Sequence, residues 1–220
     1  MPEPPGQRGL TVNLRTARGR TTASQKWLQR QLNDPYVRAA KQAGLRSRAA
    51  YKLMELDDRF HLIRRGSRVI DLGAAPGGWT QVAVARGAGV VVSVDLLAMD
   101  PVTGATVLQG DLTDPAMPGQ LQALLGAKAD LVLSDMAPNT TGHNATDHLR
   151  IMGLAELALD FALQGLGPGG GFVAKVFQGG SERSMLNQMK CHFGQVRHAK
   201  PPASRKESSE LYVVATGFRP

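Results

Sequence analysis

Cysteine is almost missing from these 220 residues, with Cys191 the single example. One thiol cannot close an internal disulfide or build a cysteine-rich zinc site, which fits a reducing compartment. Long apolar runs are missing too. No stretch reaches the roughly 20 apolar residues that cross a bilayer, and the N-terminus has no apolar signal core, so a soluble, cytoplasmic protein without membrane contact is expected. Acids are scarce at the start, where Glu3 alone precedes Asp34. This Arg-rich beginning has the composition of an organellar transit peptide, but Pro2, Pro4 and Pro5 oppose an amphipathic helix there. The histidines, His61, His143, His148, His192 and His198, lack metal-ligand spacing, and no metal is expected.

The positive charge is unevenly placed. The chain carries a formal net charge of +8 and a pI near 10.1. Residues 1–65 hold 14 Lys+Arg against 5 Asp+Glu, and the remainder 12 against 13. A basic block beside a near-neutral region suits a polyanion, with nucleic acid the commonest such partner. Residues 1–23 read as a flexible basic extension. Residues 24–220 read as one domain, with basic helices over 24–65 and an α/β core over 66–220.

The core opens on RVIDLGAAPGGWT, residues 68–80. Val69 and Ile70 favour extended backbone, Gly73, Gly77 and Gly78 permit a tight turn and close approach, and a helix follows. The G-x-G-x-x-G spacing of a dinucleotide turn is not met. An acid aimed into the turn, Asp71, would repel phosphate and suits a cationic ligand such as S-adenosylmethionine. Two further β-branched runs also end in acids, Asp95 and Asp111. Three acids at the carboxyl ends of successive parallel strands would line one crevice.

Alternating patterns extend this arrangement along the chain. Trp27, Leu28 and Leu32 mark a helix, Asn33-Asp34-Pro35 a restart with Asp34 as cap, and Ser47 a cap for a helix over 48–60. Further helices are expected over 120–125, 147–166 and 181–193, and strands over 129–133, 172–177 and 211–216, with a weak strand from Val196. Residues 140–144 read as a loop able to move over a substrate. The order predicts a doubly wound, Rossmann-like α/β sheet of seven mostly parallel strands with helices on both faces and an antiparallel last strand. Asp135 ends a strand at the rim, and Lys175 lies inside an apolar strand, an unusual place for an ammonium. Arg46 and Arg48, just before a helix, are suited to phosphate.

DLGAAPGGW, SDMAPN, AKVFQG and SSELYVVATG, in that order and with the SRAAYKL helix, closely resemble the FtsJ/RrmJ family of ribosomal RNA 2′-O-ribose methyltransferases. The likeness runs from about Ala23 to the end, and residues 1–22 depart from the short start of the family. It implies a catalytic set of Lys52, Asp135, Lys175 and Glu210, and S-adenosyl-L-methionine held by Gly77, Trp79, Asp95, Asp111 and Asp135. It also implies a uridine of large-subunit ribosomal RNA, in an assembled subunit, as the acceptor, and a monomer is expected.

The chemistry suits these residue types. A ribose hydroxyl is a poor nucleophile and must be held in line with the methyl while its proton leaves. Lys175 would take that proton as a neutral amine, which burial and the charge of Lys52 favour and the two carboxylates oppose. A transfer RNA or cap 2′-O-methyltransferase could use the same four residues. An RNA-binding assembly factor is a third possibility, disfavoured because every catalytic and cofactor position is filled.

Overall fold

The computed structural model describes residues 22–138, 144–177 and 183–220. The expected basic extension, the substrate loop and the start of the helix after Phe177 therefore lie largely outside the described residues. Helices α1 (Thr22–Asn33), α2 (Pro35–Gln42) and α3 (Ala49–Phe60) precede β1 (Arg68–Leu72). Then follow α4 (Gly78–Ala85), β2 (Val90–Asp95), β3 (Thr106–Gln109), α5 (Met117–Leu125) and β4 (Ala129–Ser134). The chain closes with α6 (Asn144–Gly165), β5 (Leu166–Phe177), α7 (Arg183–His192), β6 (Phe193–Ala199) and β7 (Glu210–Phe218).

The seven strands form one sheet in the order β3-β2-β1-β4-β5-β7-β6. β7 runs antiparallel between β5 and β6, and the other described pairings are parallel, as expected from the sequence. Strand order reverses at β1, where β2 lies on one side and β4 on the other. The carboxyl ends of β1 and β4 therefore flank a crevice.

Each central strand is buried on both faces, so its two sets of alternate residues enter two different cores. Ile70, Val92, Val132 and Phe172 pack with Leu121 of α5 and Leu159 of α6. Val69, Val91, Leu131, Leu133 and Val173 pack with Leu53 and Leu56 of α3 and with Val82 of α4. Burying a leucine of this kind is worth about 1.5–3 kcal/mol, which holds α3 firmly across the sheet.

Local chemistry explains most element ends. Asp34 accepts the Tyr36 amide at 3.0 Å, with Pro35 at the first helical position. α3 stops at His61, whose φ of 51° is left-handed, and the Asp57 carboxylate takes the Ile63 amide beyond it. Ser47 does not cap α3. Arg48 occupies that position without a side-chain bond, and Ser47 instead faces Gly78, where an added Cβ would lie 2.3 Å from its Oγ. β5 begins at Leu166, six residues before the expected start, because the glycine-rich stretch pairs with β4 through a register shift between Ala129 and Leu131.

Candidate active site

Strand parity decides which side chains gather at the crevice. Val69, Val91, Leu133, Val173 and Val214 face α3 and α4. Asp71, Ser93, Lys175 and Tyr212, two residues from these along their strands, face the same way, and Asp135 follows in step just past β4. Lys175 is register-paired with Tyr212, and Glu210 stands two residues before it. Lys52 comes from α3, which lies across this face.

The four residues implied by resemblance meet through Asp135. Its Oδ1 lies 3.1 Å from Lys175 Nζ and 3.9 Å from Lys52 Nζ, and its backbone carbonyl accepts from Lys175 Nζ at 2.7 Å. Lys52 Nζ is 2.8 Å from each Glu210 oxygen. Both lysines are only 7% exposed, so the carboxylates replace water around their charges. Burial pushes the Asp135 carboxyl up, but Lys175 and Lys52 and the hydrogen bonds from Tyr212 and Lys175 outweigh it and hold the group below the usual range.

Tyr212 joins these groups, and sequence reasoning overlooked it. Its hydroxyl accepts from Lys52 Nζ at 3.0 Å and donates to Asp135 Oδ1 at 2.6 Å. Burial, then the negative charges of Asp135 and Glu210, raise its pKa well above the ordinary value and keep it protonated. Its position two residues after Glu210 in a strand was the available signal.

The glycine turn adjoins this cluster. Gly73 has φ +73°, and a Cβ there would lie 2.3 Å from Met136 Cγ, so its absence lets the loop after Asp135 seat on the turn. Gly77, at φ +104°, would place a Cβ 2.9 Å from Arg46 Nη1. The glycines thus admit protein as well as leaving backbone open. Beneath them Asp71 accepts from Thr80 Oγ1 at 2.7 Å, and Thr80 Oγ1 also meets Ser93 Oγ at 2.8 Å. Burial raises Asp71 to about 7 against the pull of its Thr80 hydrogen bond, with Asp135 and Asp95 adding to the rise.

The residues expected to hold a cofactor are arranged around this turn in different ways. Asp95 receives the amides of Ala75 and Leu97, each at 2.8 Å, and Asp111 receives the Thr113 amide and hydroxyl, also at 2.8 Å. Those two bonds lower the Asp111 carboxyl below its ordinary value. Trp79 is buried, donates Nε1 to the Ala49 carbonyl at 2.8 Å and stands 5.7 Å from the Tyr212 ring, so its indole supports α3 and Tyr212.

A cavity of about 660 Å³ opens beside the turn, lined by Arg46, Ala75, Pro76, Leu97, Ala98, Met99 and Asp100. Exposed Leu97 offers an apolar surface for a flat ring, while Asp95, Asp111 and Asp135 offer carboxylates to hydroxyls and cationic groups. That donor set fits S-adenosyl-L-methionine, a nucleoside with a cationic tail.

Arg46 and Arg48, which the sequence suits to phosphate, are half-buried and already bonded within the protein. Arg46 donates to the carbonyls of Pro76 at 3.2 Å, Asp100 at 2.6 Å and Pro101 at 2.6 Å. Arg48 Nε lies 2.9 Å from Asp34 Oδ2, and its Nη2 donates to the Ala203 carbonyl. The turn and the strand connection need these donors, a demand invisible in the local sequence.

Comparison with known proteins places this arrangement among relatives. The family model described as FtsJ-like methyltransferase matches residues 45–218. Proteins named ribosomal RNA large subunit methyltransferase E are 71% identical in Gluconobacter oxydans and 70% identical in Granulibacter bethesdensis. They match over 97% and 99% of this chain and 80% and 94% of their own lengths. A crystal structure assigned as a ribosomal RNA methyltransferase from Plasmodium falciparum superposes with a TM-score of 0.71 at 29% identity. It covers 79% of this chain and 98% of that one. The match of sequence and fold spans both the glycine turn and the lysine-carboxylate cluster, and the chain belongs to the FtsJ-like methyltransferase family.

Proposed function

We infer that this chain transfers a methyl group from S-adenosyl-L-methionine to a ribose 2′-hydroxyl of large-subunit ribosomal RNA, a uridine in the assembled subunit, in the cytoplasm. The observation that carries this reading is the convergence of two buried lysines on Asp135 beside a glycine turn, in a family member closely similar to proteins named for that substrate. No described helix is long and apolar enough to cross a membrane.

Lys175 is the base in this proposal. Its Nζ is aimed by the Asp135 carboxylate and carbonyl together and, once its own proton has passed to solvent, takes the 2′-hydroxyl proton as the oxygen gains its new bond to carbon. Lys52, fixed by Glu210 and Tyr212, keeps positive charge beside the oxygen as its electron density rises. The bound cofactor supplies a methyl on a sulfonium, a leaving group that needs no metal.

Asp95 and Asp111 would hold its hydroxyl and amine groups, Leu97 would cover its ring, and the Gly77-Gly78-Trp79 backbone at the start of α4 would face its carboxylate. Arg46 and Arg48 would bring positive charge to the RNA side, with exposed Lys41 and Lys206 as more open phosphate donors.

Labelled cofactor offered with large ribosomal subunits, naked ribosomal RNA, transfer RNA and capped RNA tests the substrate. Labelling of subunits at a 2′-O-methyluridine supports the proposal, and preferential labelling of transfer RNA or capped RNA overturns it. Lys175→Ala should slow transfer by about 10³-fold while cofactor affinity changes less than about threefold. Turnover at the parent rate would remove Lys175 as the base.

A further inference from the structure

Residues 200–209 join β6 to β7 and carry a hydrogen-bond network outside the groups assigned above. Ser204 is 5% exposed, and its hydroxyl donates to Glu210 Oε1 at 2.7 Å. The turn holding it is pinned from several sides. The Ser204 amide donates to the Pro201 carbonyl at 2.8 Å, the Ala203 amide donates to Glu55 Oε2 at 2.7 Å, and the Ala203 carbonyl accepts from Arg48. Arg205 Nη2 reaches Asp34 Oδ2 at 3.3 Å, and Lys200 Nζ donates to the carbonyls of Lys206 and Ser208. Ser204 is thus presented by a backbone fastened to α3 and to the start of α2.

We propose that Ser204 is a positioning residue for methyl transfer: its hydroxyl fixes the Glu210 carboxylate, which in turn fixes the Lys52 ammonium. This rests on the assignment of Glu210 and Lys52 to the reaction. Glu210 stands at the first position of β7, where one flank of its backbone is loop. A carboxylate bound through both oxygens to one ammonium can swing about its side-chain torsions and carry that ammonium along. A second bond to Oε1, from a donor on a separately anchored turn, stops the swing. Positioning at this scale matters because displacement of a reacting group by a fraction of an ångström costs rate without costing binding.

The test is a mutant cycle on the full chain, read by single-turnover transfer to large ribosomal subunits with enzyme in excess. Ser204→Ala should slow transfer by about tenfold, with cofactor affinity and subunit KM within about twofold. Ser204→Thr, which keeps the hydroxyl, should restore most of the rate. In a Glu210→Gln background, Ser204→Ala should add less than about a twofold loss, since the group it acts through has already been altered.

Full activity in folded Ser204→Ala, or an equal loss in both backgrounds, overturns the positioning role. Should Ser204→Ala fail to fold, Ser204→Cys, close in volume but a weak donor, is measured in the same two backgrounds against the same outcomes. Parent-like transfer by Glu210→Gln alone would instead overturn the assignment of Glu210. A slow Glu210→Gln with an unaffected Ser204→Ala leaves that assignment standing and removes only Ser204.

Discussion

At the β1 to β3 end of the rim, carboxylates bond to groups no more than 20 positions away in the chain: Asp95 to the amides of Ala75 and Leu97, Asp111 to Thr113. At the β4 to β7 end they bond to side chains from far away, with Lys52 separated from Glu210 by 158 positions and Asp135 from Tyr212 by 77. The first set shapes a turn that one segment of sequence specifies. The second exists only when the whole sheet and α3 are in register, and its charges are neutralised by one another. Damage to the first should therefore register mainly as cofactor affinity, and damage to the second as rate.

The strongest challenge to that division is Asp135→Asn. It removes the charge shared by both lysines while keeping approximate shape. We expect transfer to fall by about 10³-fold and the fold to lose about 3 kcal/mol, as when one partner of a buried ion pair is removed. Single-turnover rates and denaturant midpoints measure the two effects, and a rate near that of the parent would break the comparison.

Next is Gly73→Ala, in the turn. The left-handed backbone and the approach of Met136 oppose a methyl group, so cofactor affinity measured by calorimetry should weaken by about tenfold or more. Because Met136 follows Asp135, a parallel loss of rate at saturating cofactor would reveal how far the two regions are mechanically joined.

Tyr212→Phe deletes the hydroxyl between Lys52 and Asp135 and leaves the ring under Trp79. Transfer should fall by about tenfold at unchanged cofactor affinity, with stability lower by about 1 kcal/mol. An effect on affinity instead would place Tyr212 in the first region.

A separate effect concerns pH. Asp71, with its native pKa raised from 3.8 to about 7, retains a proton that the unfolded chain gives up. Between those values the native state binds more protons, so this group's contribution is fully present below about pH 4 and is lost as pH rises towards about 7. Asp71→Asn should remove that component. The stability difference, mutant minus parent, should grow in favour of the mutant across the interval, and a flat difference in urea melts would contradict the assignment.

What could be read from sequence follows the same division. The turn, the acids towards the ends of β1, β2 and β3, the Asp34 cap and the antiparallel last strand rest on local composition and alternation, and the structure bears out the seven-stranded, mostly parallel sheet they imply. The meeting of Lys52 with Glu210 had no local signal and came from family likeness. Ser47 was misread because a serine before a helix usually caps it, whereas here close packing on Gly78 claims it. Tyr212 was legible through its two-residue spacing from Glu210. Ser204 was not, since its partner is set by how the turn is fastened to α3.

The position of β7 has a consequence for biosynthesis. Glu210 and Tyr212 belong to the last described strand, which must enter between β5 and β6 after both have emerged. A nascent polypeptide can present the glycine turn well before this, yet lacks two groups of the lysine-carboxylate cluster until β7 clears the exit tunnel. Assembly of the proposed site is thereby timed to the emergence of β7, and a chain abandoned before residue 210 would have the glycine turn without the carboxylate and hydroxyl that hold Lys52.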